Sequence, residues 1–349
     1  MERSDNIDFS VIDPIVDPLW ENLVRSHPEG GIFHHPAWLE LLRDQYHFKI
    51  VAVCGKRNDI VVAGIPFCTM RGLTLRNRWV CLPFSDHCGP LAFSAQDLRI
   101  LLEHIRSEAA YKKIHVQVRS QLGPGLGYSV GRKGWLHVMN IDGDASYPLN
   151  SFKPRVRRAI NKISKLGLTT EIRRDAESVD IFWRLHLLSR RRQGVPIQPR
   201  GYFEKFFDKI IAQDLGFVSL SRYKDCVISA GVFCTFKNVI TYKYGASDPS
   251  YREMPASYSM LWEAMRYAKQ RGFSIFDFGK TDASNEGLRR FKSGWASRQQ
   301  ELRYSYYPSV PCRNVFTFVE NRLAKPLIRH GPTFVCRYTG ELMYKYFGA

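Results

Sequence analysis

Residues Asp225–Phe236 read DCVISAGVFCTF, and residues Asp59–Met70 read DIVVAGIPFCTM. Aligned without gaps, the two segments share Asp, Val, Phe, Cys and Thr at matching places. Each is a turn followed by a β-rich run. Each also follows another such run, KIVAVCGKR at 49–57 in the first copy and FVSLSRYKD at 217–225 in the second, so both read as hairpins. The surroundings repeat in the same order. A helical pattern precedes each hairpin: Ala37, Trp38, Leu41, Leu42 and Tyr46 in one, Phe203, Phe206, Phe207, Ile210 and Ile211 in the other. After each hairpin come a helix and a short strand. These are Leu98–Ala110 with Ile114–Val118, and Ser257–Arg271, stopped by Gly272, with Ser274–Phe278. The order α-β-β-…-α-β thus occurs twice, about 160 residues apart, which points to a duplicated domain.

Bulk composition narrows the class. At 349 residues with 44% hydrophobic and 13% aromatic content, the chain is long enough for two domains with real cores. It holds no run of eighteen apolar residues, and its opening, MERSDNIDFSVIDP, lacks a basic-then-apolar leader, so a cytoplasmic protein without a spanning segment is expected. The eight cysteines include no C-x-x-C pair, which argues against a zinc knuckle or a disulfide scaffold; Cys68 and Cys234 sit in apolar runs and read as core residues. His34-His35 reads as a helix start rather than a metal pair, and Asp86-His87-Cys88 reads as a turn.

The net charge is +18, and residues 151–200 hold thirteen Lys/Arg against four Asp/Glu. Such a stripe suits an anionic partner or a solvated helix face. It begins after a junction at Ile141–Pro154 (IDGDASYPLNSFKP), which sets domains at 1–150 and 151–310. The helix from Pro154 to about Leu166 carries Val156, Ile160 and Ile163 on an apolar line, and Arg155, Arg157, Arg158, Lys162 and Lys165 elsewhere. Contact with phosphates and packing on the second domain are both open to it. Residues 311–349 form a basic, aromatic extension, with Arg313, Phe316, Phe318, Arg322 and Leu323 near its start. Its short amphipathic helices either pack on the body or lie on an anionic membrane surface.

Four motifs carry a resemblance. YKYGASD (Tyr242–Asp248), FDFGKTD (Phe276–Asp282), NEGLRRFKSGW (Asn285–Trp295) and RLHLLSRRRQGVPIQP (Arg184–Pro199) together resemble the second half of FemAB-type transferases. FHHPAWLELL (Phe33–Leu42) and CGPLAF (Cys88–Phe93) extend the likeness over roughly residues 30–310, closest to members associated with exopolysaccharide or cell-envelope gene sets. The resemblance implies an α/β fold of two tandem acyl-CoA N-acyltransferase (GNAT-like) domains with mixed sheets. It implies transfer of an aminoacyl or acyl group onto an amine of a cell-envelope or exopolysaccharide precursor, with no tightly bound cofactor and no metal. The activated donor is aminoacyl-tRNA or acyl-CoA, and tRNA, a CoA thioester or a lipid-linked sugar are the anionic partners. Peripheral contact with the inner face of the membrane is compatible with this.

The same resemblance assigns the site. Lys292, beside Phe291, matches the lysine of the family's Phe-Lys pair, where a fixed ammonium steadies the oxyanion or the leaving group. The other reading is a surface lysine on a short helix. Asp277 lies in an apolar β-run, which suits a general base or a buried partner for a backbone group or an arginine. Phe291, Trp295, Tyr244, Trp38, Arg190, Arg191 and Arg289 are expected to line the substrate site. Asp282 is expected to cap the helix carrying Lys292, and Glu286 and Arg289, at i and i+3, to pair. Two departures weigh against a nucleotide-linked muramyl peptide as acceptor: Phe93 stands where cell-wall members have an aspartate, and PAWLELLRDQ has Arg43 but no lysine. SDPSYREMPASYSM lacks the glycines of an ordinary CoA loop. The alternatives are a CoA-dependent N-acetyltransferase and a non-catalytic binder of RNA or anionic glycolipid.

Overall fold

The computed structural model describes residues 7–71, 77–141, 152–295, 298–311 and 325–347. Most of the junction read at 141–154, and Arg313, Phe316, Phe318, Arg322 and Leu323, lie outside the described residues. The chain divides into two compact units, residues 1–133 with 302–312 and 345–349, and residues 134–301 with 313–344. A late segment therefore belongs with the first unit, which sequence order does not show.

The first unit contains β1 (Asp8–Ile12), α1 (Pro18–Ser26), α2 (Pro36–Tyr46), β2 (Lys49–Arg57), β3 (Ile60–Arg71), β4 (Asn77–Val80), β5 (Leu91–Ala92), α3 (Ala95–Tyr111) and β6 (His115–Val118). Its sheet runs β1-β2-β3-β4-β6, with β5 beside β3. The hairpin β2–β3 closes over Asn58 and Asp59, at φ 51° and 62°, a two-residue turn whose hand matches strand twist. β4 and β6 are parallel, and α3 supplies the crossover that parallel neighbours need. His35 caps α2, its Nδ1 accepting from Ala37 N–H at 3.2 Å. This is the helix start read from the sequence.

The second unit contains the far end of β7 (Ser129–Asn140), then α4 (Pro154–Lys165), β8 (Leu168–Arg173), α5 (Ala176–Gln193), α6 (Arg200–Phe206), β9 (Gly216–Tyr223), β10 (Cys226–Phe236), β11 (Val239–Ser247), α7 (Ala256–Gln270), β12 (Ile275–Asp282) and α8 (Glu286–Lys292). The sheet runs β7-β12-β11-β10-β9-β8. Again a hairpin, β9–β10, precedes a parallel pair, β11 with β12, joined through the crossover helix α7. Strand for strand, β8-β9-β10-β11-β12 repeats β1-β2-β3-β4-β6. The duplication read from two twelve-residue segments extends to the whole topology.

In each unit the strand beside the parallel pair is not the next in sequence. β6 is flanked by β13 (Arg298–Tyr307), paired antiparallel through Ser305–Tyr307, and β12 is flanked antiparallel by β7. β10 is buried over nine consecutive residues, and α5 and α7 both pack on it, since a strand without an exposed face needs cover on both sides. The equivalent thiols Cys68 and Cys234 are both fully buried. α7 presents Met260, Leu261, Ala264, Met265 and Ala268 to the core, which also takes Phe276, Phe278 and Trp295. Among the described residues two further helices follow, α9 (Lys325–His330) and α10 (Thr333–Phe347).

Candidate active site

β12 is an apolar strand until Phe278 and is then broken by a bulge. Asp277 pairs with Val138 and Lys280 with Leu136, so Phe278 and Gly279 together oppose His137 alone. Gly279 takes φ 69°, a left-handed conformation that glycine adopts without a Cβ clash. The carboxylate of Asp277 accepts from Gly279 N–H at 2.7 Å, and Asp277 is 4% exposed. Asp277 is thus tied to the backbone of the bulge.

Two carbonyls at the bulge receive the same cation. Lys292 Nζ donates to the carbonyls of Gly279 at 3.0 Å and Lys280 at 2.9 Å. Lys292 is 4% exposed, the last residue of α8, so it is not a surface lysine. Asn285 caps this helix, its Oδ1 accepting from Leu288 N–H at 3.1 Å. Asp282 does not fill that role. It is still in β12, where it pairs with Lys280 at 2.8 Å. Arg289 does not pair with Glu286 either: its guanidinium lies 3.8 Å from the Trp135 ring centroid and its Nε donates to Gln299 at 3.0 Å.

The turn after Lys292 joins the basic helix. Lys153 N–H donates to Gly294 O at 3.0 Å. A Cβ on Gly294 would meet Val156 at 2.9 Å and the Arg155 guanidinium at 3.1 Å, so only glycine lets α4 approach this closely. Val156 and Ile160 are buried, while Arg158, Lys162 and Lys165 are exposed. Among the described residues, Arg157, Arg158, Lys162 and Lys165 have no acidic partner. Elsewhere in the unit Arg173, Arg184, Arg222 and Arg266 all sit in ion pairs.

His137 is the residue that the sequence did not single out. Its ring is fully buried, and neither Nδ1 nor Nε2 has a hydrogen-bond partner among the described residues. Burial pushes its pKa down to about 4, the Lys292 and Arg289 cations push the same way, and Asp277 opposes them. It therefore stands neutral at the bulge, within the field of Lys292. The only signal in the sequence was a histidine inside the apolar run WLHVM, a pattern that a core residue shares.

The remaining expected residues divide. Phe291 and Trp295 join Tyr258 and Phe152 beside α8, with ring centroids 5.1 Å from Phe291 to Tyr258 and 5.5 Å from Trp295 to Phe152. Tyr244 belongs to an aromatic cluster with Phe182, Phe203 and Phe206, its hydroxyl 2.9 Å from that of Tyr202. Arg190 donates to Pro196 O at 3.0 Å and to Tyr344 Oη at 2.9 Å, and Arg191 donates to Gly331 O at 3.2 Å. Both arginines anchor the C-terminal helices. Trp38 is a fully buried core residue of the first unit, its Nε1 donating to Ser85 Oγ at 3.0 Å.

Residues 150–293, which take in Lys292, match the acetyltransferase (GNAT) domain family. A Staphylococcus aureus protein named lipid II:glycine glycyltransferase is 30% identical over 402 residues, covering 88% of this chain and 95% of that one. Matches to other curated relatives of that name, at 28% identity, span 30% and 28% of their length. A crystal structure of FemX superposes with a TM-score of 0.70 at 17% identity, over 90% of this chain and 100% of that one. A tandem GNAT protein from the clavulanic acid biosynthesis pathway superposes with a TM-score of 0.54 at 11% identity, over 88% and 100%. At those identities the two structures speak for the fold alone, which is that of two tandem GNAT-like domains. With a 30%-identical relative matched along nearly all of its length, the chain belongs to the FemAB-type transferase family.

Proposed function

We propose that this protein transfers an aminoacyl group from aminoacyl-tRNA onto an amine of a lipid-linked cell-envelope precursor, with Lys292 as the catalytic cation. One observation carries the reading: a buried ammonium held by two backbone carbonyls at a strand bulge, beside a buried carboxylate. An ammonium fixed before reaction needs no reorganisation when negative charge develops. The acceptor nitrogen attacks the ester carbonyl, the C–N bond forms as the C–O bond to the ribose breaks, and the proton lost by the amine ends on the departing hydroxyl. Lys292 steadies the oxyanion and then the leaving oxygen. Asp277 works through the bulge it clamps, rather than as the base.

The choice of donor rests on α4. Its cations lack acidic partners among the described residues, and the start of the helix adjoins the turn after Lys292, which suits a polyphosphate backbone. The choice of a peptidoglycan-type acceptor over an exopolysaccharide one follows the relatives, whose name specifies lipid II. Single-turnover transfer from aminoacyl-tRNA to a lipid-linked precursor tests the proposal. Lys292→Met keeps the volume and removes the charge, and the rate constant is expected to fall about 10²–10³-fold with the melting temperature monitored alongside. Turnover at the wild-type rate would refute the assignment. Release of free thiol from acetyl-CoA, with aminoacyl-tRNA left intact, would select the acetyltransferase reading instead.

A further inference from the structure

α10 has two stripes. Cys336, Gly340 and Tyr344 face the body: Cys336 and Gly340 lie against the backbone of Val195 and Ile197, and Tyr344 accepts from Arg190. Phe334, Tyr338 and Leu342 are two residues out of phase with these, about 200° around the helix. They are 56%, 62% and 69% exposed, and Leu327 of α9 is 59% exposed. The helix is firmly docked on one side, so the apolar stripe on the other is not the result of a helix left unpacked. Scattered apolar side chains are ordinary on a surface, but three at successive i+4 positions on one helix are not.

The charge around this stripe has a sign. The described residues of α9 and α10 include exposed Lys325, Arg329 and Arg337 against the single acid Glu341, in a chain of net charge +18. Apolar side chains beside cations on a helix lying along a surface suit the interface of an anionic bilayer. No helix among the described residues is long and apolar enough to cross a membrane.

We infer that the outward face of α9 and α10 is a docking surface for an anionic lipid bilayer, with Phe334, Tyr338 and Leu342 entering the interface and Arg329 meeting the headgroups. The inference extends the proposed reading, which puts the acceptor in a membrane, but it stands on side-chain exposure and charge. The test is co-sedimentation of the full chain with vesicles of phosphatidylglycerol mixed into phosphatidylcholine, and with phosphatidylcholine alone. Binding to the mixed vesicles is expected, with weak binding to the neutral ones. The triple variant Phe334→Ser, Tyr338→Ser, Leu342→Ser is expected to bind about tenfold or more weakly, because the apolar area entering the interface is lost. Arg329→Gln is expected to weaken binding about fivefold, with less sensitivity to salt. All three apolar positions are exposed, so the triple variant should melt as the wild type does.

Wild-type affinity in the triple variant, or equal binding to neutral vesicles, overturns the inference. So does a concentration-dependent dimer that the same substitutions abolish while vesicles are not bound, since the face would then belong to a second copy. Lys292→Met is expected to bind vesicles normally, so failure of docking and failure of the transfer chemistry are read separately.

Discussion

A buried imidazole with both nitrogens unbonded is destabilising by about 1–3 kcal/mol relative to a satisfied one, and His137 is such a ring. Its neighbours in charge are Lys292 and Arg289 on α8 and Asp277 on β12. At pH above 6.5 the ring is neutral in folded and unfolded chains alike. As the pH falls below 6.5 the unfolded chain takes up a proton that the folded one refuses until about 4, so stability is lost across that window. The loss from this one residue amounts to about 3 kcal/mol at most. His35 and His186, pushed down to about 4 and about 3 mainly by burial, act in the same direction. His137→Leu is expected to be at least as stable as wild type at about pH 7 and to lose less stability at about pH 4.5. Urea unfolding at the two pH values reads this directly; an unchanged pH dependence would mean that the ring is not held neutral by its surroundings.

At the scale of the element, the bulge in β12 is the device that holds Lys292. The motif FDFGKTD was legible, and so was a helix ending near Lys292. The expected strand stopped at Phe278, whereas β12 continues through the bulge to Asp282. A bulge belongs to the register between two strands, and β7 lies far away in sequence, so periodicity along β12 did not disclose it. The misplaced cap has a related cause: with β12 running on, Asp282 stays in the strand and Asn285 becomes the last residue before the helix. Gly279→Ala is expected to destabilise the chain by about 1–2 kcal/mol, because an L-residue there keeps a left-handed conformation. The same change should slow single-turnover transfer by about tenfold or more, since the two carbonyls holding Lys292 move with it. Unfolding midpoints and rates measured on one preparation check both, and a variant unchanged in both would remove the bulge from the account of the site.

For the whole molecule, charge is arranged as much as it is accumulated. Arg173, Arg184, Arg222 and Arg266 are neutralised by acids, whereas the cations of α4 have no acidic partner among the described residues. The excess in residues 151–200 therefore reaches solvent mainly along one helix rather than evenly over the segment. Arg158→Gln, Lys162→Gln and Lys165→Gln together are expected to weaken tRNA binding at low salt. The slope of log affinity against log salt is expected to become shallower by about 0.7–0.9 for each phosphate that is no longer neutralised. Filter binding across a salt series measures the slope; a slope equal to wild type would move the nucleic acid to another face. The arginine run at 190–192 shows why charge counting alone misleads, since Arg190 and Arg191 hold the C-terminal helices.

Local pattern determined a good deal of this protein. Helices and hairpins are written in spacings of a few residues, and the same spacings occurring twice were enough to read two mixed α/β domains. The family motifs singled out Lys292. Tertiary structure alone decided the rest: which strand flanks the parallel pair of each unit, that two carbonyls at a bulge accept from Lys292, that His137 stands opposite that bulge, and that Trp38 is buried while Arg190 and Arg191 hold the C-terminal helices. Each of these depends on register or contact between segments far apart in the chain, and the free energy that selects among such pairings comes from burial and hydrogen bonding that exist only once both partners are in place.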